Sequence, residues 1–572
     1  MNITRRLTRA AAASLFGTAG LAIAAATAAH ATAHTPNGYP RAAASASPAR
    51  AVLPVTAAGA QARWLLGAVA HLPIPNSAIE AHFDIAFLAH ASPATINSAI
   101  EGIAPVRFVS VSVSKADEVL FIVEAGGPGA PSPRLQVLLA VDSKGLISEL
   151  GIASAPAAGS SVLPGLIGGG CLAPASAKAP LCYSPQAVRV AYGIAPLTAR
   201  RLDGQGRSVV VINIGEASGT HGATNPYLDL ADYDRYFHLP VAHLQVVARF
   251  DPSASPTAAS DEEAGDIEVV HAIAPGAALR VVLVPAAPGS DIGRDIGATW
   301  LPAWRYAVAH ADVVSLSAGG GESCFTAREV ADLHSVLEEA AARQVTVVAS
   351  SGDMGPLSSY GCTVGSPMDA SHVRELIYPA SDPLVLAVGG TSLSADPTSG
   401  AYKRETAWAG ETLGSSPSFE MASGGGPSHL FARPSYQDGI GTGPMRAVPD
   451  VSADADGTRG LAAIFVETGG EEAVGPAAGT SASAPMWAGL VAIADQYARR
   501  DLGFVNPALY AIGETARYHK AFHDVTKGIT SVRVGAVWVT GYKARPGWDM
   551  ATGWGSPDAS VLVPLLANKR DQ

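Results

Sequence analysis

The sequence predicts an α/β fold: a doubly wound, mostly parallel sheet with helices on both faces, preceded by a small α+β domain. Three observations predict it. From Tyr183 onward, β-branched apolar runs alternate with amphipathic stretches, the rhythm of strand–helix units. Those runs are dominated by consecutive apolar residues, as strands covered on both faces are. Hydrophobic residues make up 48% of the 572-residue chain against 15% charged, enough apolar mass for more than one core.

The elements follow in chain order. Residues 1–33 read as an export signal, with Arg5, Arg6 and Arg9 ahead of the apolar run Ala10–Ala29 and a small-x-small site at Ala29-His30-Ala31. The run is weakly apolar and no second spanning run follows, so a secreted protein without a stable membrane anchor is expected. Residues 34–61, rich in Ala, Ser, Pro and Thr, read as a linker. Within 62–155, helical patterning covers Asn76–His90 and Pro93–Ile103, and β-rich runs cover Val106–Val113, Glu118–Glu124 and Leu135–Val141. Residues 156–182 are a second Ala/Gly/Ser-rich linker, and 183–568 form the large domain. Its strands are Ser208–Ile214, Ala278–Val284, Val313–Ser317, Val345–Ser350 and Leu384–Val388. Its helices include Glu262–Ala274, Thr299–Ala309 and Ala327–Arg343.

With 38 Lys and Arg against 49 Asp and Glu the net charge is −11, and no long basic run occurs, which argues against a nucleic-acid partner. The expected state is a monomer. The four cysteines of an exported chain favour disulfides, and proximity in sequence suggests Cys171–Cys182 and Cys324–Cys362.

Ser481 lies in Gly475–Leu490, where a Gly/Pro/Ala segment runs into a helix-like stretch, with Pro485 expected in the first turn. A serine hydroxyl is a useful nucleophile only if a neighbour takes its proton. A subtilisin-type triad puts an aspartate at the end of the first strand, but Asn213 stands there. His221 follows directly on a polar loop, where a bystander histidine is the plain reading. The helix that should carry a base offers Glu262 and Asp266 instead, four residues apart on one face. Two such carboxyls repel when both are ionised, so one holds a proton while the other accepts one. A third, Asp353, follows the strand Val345–Ser350 at the end that faces a ligand crevice. Protonated, it can donate a hydrogen bond to an oxyanion.

Glu262-x-x-x-Asp266-Ile267-Glu268, Ser351-Gly352-Asp353 and Gly479-Thr480-Ser481-x-Ser483-x-Pro485 together resemble the sedolisin family of serine-carboxyl peptidases, the kumamolisin-like enzymes. The resemblance covers about residues 183–568. It implies a subtilisin-like fold and endopeptidase or tripeptidyl-peptidase activity in acid on protein or peptide substrates. It gives Ser481 as nucleophile, Glu262 as base, Asp266 as its orienting partner and Asp353 as oxyanion donor.

The tail holds Asp524 and Asp549, hard-oxygen groups that suit Ca²⁺. The resemblance implies a calcium site made by their side chains and the carbonyls of Val525, Arg545 and Gly547. The chain departs from the family in two places. Ala318 stands where a cleft tryptophan is usual, which motivates an alternative reading as a catalytically altered, peptide-binding relative. The 62–155 domain is similar to cystatin-like or nuclear-transport-factor-like domains, and is either an inhibitory pro-segment removed near residues 170–183 or a retained accessory domain.

Overall fold

The computed structural model describes residues 52–90, 92–101, 104–114, 118–125, 134–154, 181–215, 225–251, 253–254, 260–286, 289–357, 362–363, 373–412, 420–441, 443–466 and 472–568. The export signal, both linkers for the most part, Cys171 and His221 lie outside the described residues. Two compact units emerge, one within Ala25–Pro164 and one within Gly165–Gln572.

The smaller unit is an antiparallel four-stranded sheet with helices packed on it. Its strands Val106–Ser114, Glu118–Ala125, Arg134–Val141 and Ile147–Ser154 lie side by side in chain order. Phe83, Phe121, Leu139 and Ile147 are buried in its core. The helix Ala57–Ala68 starts inside the stretch read as linker; alanine favours helix, and the Thr56 hydroxyl caps it by accepting from Gly59 N–H. The helix expected over Asn76–His90 breaks at Phe83, which turns extended and pairs with Ile147.

In the larger unit, the sheet strands are β1 (Ser208–Ile214), β2 (His243–Val247), β3 (Ala278–Val284), β4 (Val313–Leu316), β5 (Thr346–Ser350), β6 (Leu386–Ala395), β7 (Tyr402–Ala407) and β8 (Val451–Asp454). They lie in the order β7-β6-β5-β4-β1-β3-β2, with β8 beside β6. All pairings are parallel except β6 with β7. The chain fills one side of β1 with β2 and β3, then crosses to the other with β4. A crevice opens at such a reversal, beyond the carboxyl ends of the strands. Four helices matter for what lies there: α1 (Asp261–Ile273), α2 (Leu301–His310), α3 (Ala327–Ala342) and α4 (Gly479–Ala498). On one face, α2 and α3 share a core with β1, β4 and β5 that includes Trp304, Leu333 and Val314. α4 is buried nearly all round, as an apolar central helix must be. Cys324 and Cys362 form the expected disulfide.

Candidate active site

Ser481 is the third residue of α4, half-buried between fully buried neighbours. Gly479 opens the helix at φ +76°, where a Cβ would stand 2.7 Å from Asp353 Oδ2, so only glycine fits. Pro485 sits inside the helix, not in its first turn as the sequence predicted. Its place has a consequence for the serine. A helical N–H at 485 would bond the carbonyl of 481, and proline has none. The Ser317 hydroxyl takes over, 3.3 Å from Ser481 O.

Ser317 follows β4, and its Oγ also lies 2.8 Å from Asp266 Oδ1. A hydroxyl has one proton. If Ser317 gives it to Ser481 O, then Asp266 must be the donor of the other bond. Asp266 Oδ2 meanwhile accepts from Asn213 Nδ2 at 3.2 Å, so a proton on Oδ1 satisfies every partner. Burial, with the Glu262 charge one helical turn away, pushes the Asp266 carboxyl well above the usual range. A Ser317 proton given to Asp266 instead works the other way, but burial outweighs it and favours a protonated Asp266. Glu262 is half-buried on the same helix.

Asp353 stands beyond the end of β5 and is 8% exposed. Its Oδ1 accepts from Thr480 N–H at 2.8 Å and from Thr480 Oγ1 at 2.7 Å. Thr480 Oγ1 accepts in turn from Gly352 N–H at 3.1 Å. With Oδ1 committed as acceptor, Oδ2 is where a proton rests. Burial raises this carboxyl to about 6, against the Thr480 hydrogen bonds that lower it. Below that pH Asp353 is a neutral acid tied to the residue next to Ser481. α1 does contain a histidine, but His271 is fully buried against Asp234 Oδ1 at 2.7 Å and Pro240 O at 3.0 Å.

Two features decide the relationship: a base helix carrying carboxyls, and a match of residues 254–555, more than half of the chain, to the subtilase family. Kumamolisin from Bacillus sp. (strain MN-32) is 34% identical over 408 residues, 69% of this chain and 65% of that protein.

The chain belongs to the sedolisin family of subtilases.

Human tripeptidyl-peptidase 1 is 29% identical over 361 residues, covering 59% of this chain and 58% of the relative. The chain thus spans less than two thirds of the length of each of these relatives, 65% and 58%. The structure of Pseudomonas sedolisin, a serine-carboxyl proteinase complexed with two molecules of pseudo-iodotyrostatin, shares the fold at TM-score 0.55 and 27% identity. That match covers 68% of this chain and 98% of the other. Residues 53–147 match a different family, the N-terminal region of the ORF 12 gene product. The larger unit is therefore the sedolisin domain, with the subtilisin-like sheet that the sequence predicts.

Sequence reasoning missed three supporting residues of this sedolisin site: Ser317, Thr480 and Asn213 as a donor. A signal for the first existed, since a proline four residues after a helical serine leaves the serine carbonyl needing a partner.

The two carboxylates expected to bind calcium meet the same loop. Asp549, 3% exposed, accepts from Arg545 N–H at 2.6 Å, and Asp524 accepts from Gly547 N–H at 3.2 Å. The loop 545–547 is thus bracketed by the two carboxylates, and Gly547 at φ +77° makes its turn. Desolvation pushes the Asp549 carboxyl up to about 6, the mark of a buried anion that a cation would relieve. Among the described residues no three His, Cys, Asp or Glu side chains gather as a metal site, so a cation held here would need backbone carbonyls beside the two carboxylates. An all-oxygen set of two carboxylates and three carbonyls fits Ca²⁺.

Proposed function

We propose that the protein is a secreted peptidase that works in acid through an acyl-enzyme on Ser481. The observation that carries this reading is the Asp353 carboxyl, tied to Thr480 and neutral below a pH of about 6. It supports an oxyanion donor that exists only in acid. Glu262 takes the proton of Ser481 Oγ as that oxygen attacks the peptide carbonyl carbon. Protonated Asp266 holds Glu262's proton-sharing partner position and keeps the pair at one negative charge. Asp353 donates to the tetrahedral oxyanion. The proton on Glu262 then passes to the leaving amine, the C–N bond breaks, and an ester remains on Ser481. Water, deprotonated by Glu262, attacks that ester, the bond from Ser481 Oγ to the acyl carbon breaks, Glu262 returns the proton to Oγ, and the acid product leaves.

The test is digestion of a peptide library at pH 4 with products read by mass. Internal cuts are the signature of an endopeptidase and three-residue N-terminal products that of a tripeptidyl-peptidase. A library left intact overturns the proposal.

The side chains of Asp524 and Asp549 and the carbonyls of Val525, Arg545 and Gly547 are proposed to hold Ca²⁺, which ties together loops distant in sequence. A cation bound only by the native state stabilises it. Chelation at pH 7 is expected to lower the melting temperature by several degrees, about 3 kcal/mol being at stake when the ion is at 100 times its Kd. An unchanged melting curve counts against the site.

A further inference from the structure

Glu411 is a buried carboxyl that the hydrolytic scheme above does not use. It lies on the short strand Ala409–Thr412, which pairs with Glu420–Ala422. That partner strand bonds the oxyanion segment directly, through Ala422 N–H to Asp353 O at 2.8 Å and Gly355 N–H to Ala422 O at 2.9 Å. Glu411 points the other way. Its Oε2 accepts from Trp408 Nε1 and from Gly457 N–H, both at 2.9 Å.

Gly457 belongs to the turn that follows β8, and this turn is the bed of α4. Ala455 O accepts from Gly479 N–H at 2.9 Å. Ser483 Oγ lies 3.0 Å from both Ala453 O and Asp454 O, with one proton to donate between them. A Cβ on Gly457 would meet the Glu411 carboxyl and stand 2.9 Å from Ala478 Cβ, so the carboxyl, the turn and the residue before α4 are packed without slack. Trp408, the other group held by Glu411, is 1% exposed and packs on Ala455 and Met421. One carboxyl oxygen therefore joins the two sides of the platform under the first turn of α4.

We propose that Glu411 is a positioning residue for the hydrolysis. It clamps the Ala455–Gly457 turn so that Asp353 and Ser481 keep the spacing that oxyanion stabilisation needs. This rests on the peptidase reading. The groups that face Glu411 electrostatically are Asp456 and Asp353, both acids, and burial ahead of these charges pushes its carboxyl up to about 7. In acid it is neutral, with Oε2 accepting both N–H bonds, and glutamine keeps that accepting oxygen on an uncharged side chain of the same shape.

The test uses Glu411→Ala and Glu411→Gln in the full chain. With a short quenched peptide at pH 4, Glu411→Ala is expected to lower kcat roughly tenfold to hundredfold with KM within about twofold, since small misplacement of reacting groups costs rate. Glu411→Gln is expected to restore kcat to within about twofold of wild type. Amide hydrogen exchange at pH 4 reads the clamp without turnover: Glu411→Ala is expected to speed exchange across Ala455–Thr480, and Glu411→Gln to leave it unchanged. Wild-type kcat in Glu411→Ala, equal losses in both variants, or unchanged exchange in Glu411→Ala overturns the proposal. A wild type that cleaves nothing, with the exchange pattern as expected, refutes the peptidase reading and leaves the clamp standing.

Discussion

Ser481→Ala is expected to lower kcat/KM for a quenched peptide at pH 4 by at least about 10⁴-fold, because removing the nucleophile leaves only binding and the oxyanion donors. The loss must come without loss of the fold. Ser481 is half-buried near the start of α4, and alanine is the better helix former. The helix is held there by contacts that the substitution does not touch: Thr480 on Asp353, Ser483 on the β8 carbonyls, and Trp487 Nε1 on Ser452 O at 2.9 Å. A melting temperature at pH 4 within a degree or two of wild type, with activity gone, is the expected pair of results. Full activity in the variant removes Ser481 from the mechanism.

The second large effect is on stability, which is expected to be higher in acid than at neutral pH. The buried carboxyls of the larger unit are pushed upward in the folded state: Asp353 to about 6, Glu411 to about 7, and Asp266, Asp454 and Asp495 well above the usual range, each chiefly by desolvation. A group whose folded-state pKa exceeds its unfolded value binds its proton more tightly when folded. Its contribution is therefore complete below pH 4 and is lost as pH rises through 6 and 7. Each tenfold change in proton affinity is worth about 1.4 kcal/mol, so Asp353 and Glu411 alone place several kcal/mol between pH 4 and pH 8, and the other three act in the same direction. Asp396 has the opposite sign, its carboxyl lowered to about 2 by Ser399 and Lys403, but it is solvated. Melting temperatures with calcium absent at both pH values are expected to fall by on the order of 5–10 °C from pH 4 to pH 8. A protein that melts higher at pH 8 contradicts the reading of these carboxyls as neutral acids.

The sheet was legible where burial on both faces writes a continuous signal. Ser208–Ile214 and Ala278–Val284 were predicted to the residue because each holds four consecutive buried apolar residues, Val209–Ile212 and Val281–Val284. The edge strand His243–Val247 was not, because only alternate residues are buried and its length is five. The helix Pro226–Phe237 was also missed, since its buried face is interrupted by Asp229, Asp234 and tyrosines that look polar in sequence. The carboxyls of the site were legible because spacing on a helix fixes a shared face, as with Glu262 and Asp266. What spacing does not carry is the direction of a hydrogen bond. Asn213 reads in sequence as an aspartate that is absent, and in the fold it is the donor that Asp266 needs. Ser317 sits in a run of small residues with no periodic signal, and only the three-dimensional meeting of β4, α1 and α4 gives it two partners.

In the proposed mechanism carboxyls, not a histidine, run the hydrolysis. The most direct measurement is kcat/KM for a short quenched peptide from pH 3 to pH 9, which reports the essential groups of the free enzyme. The prediction is high activity in acid and a decline above about pH 6, where Asp353 loses its proton. Beyond that point each further pH step of one costs up to tenfold, with no recovery in alkali. Activity that instead rises through pH 7 and holds to pH 8, as a histidine base gives, would contradict it.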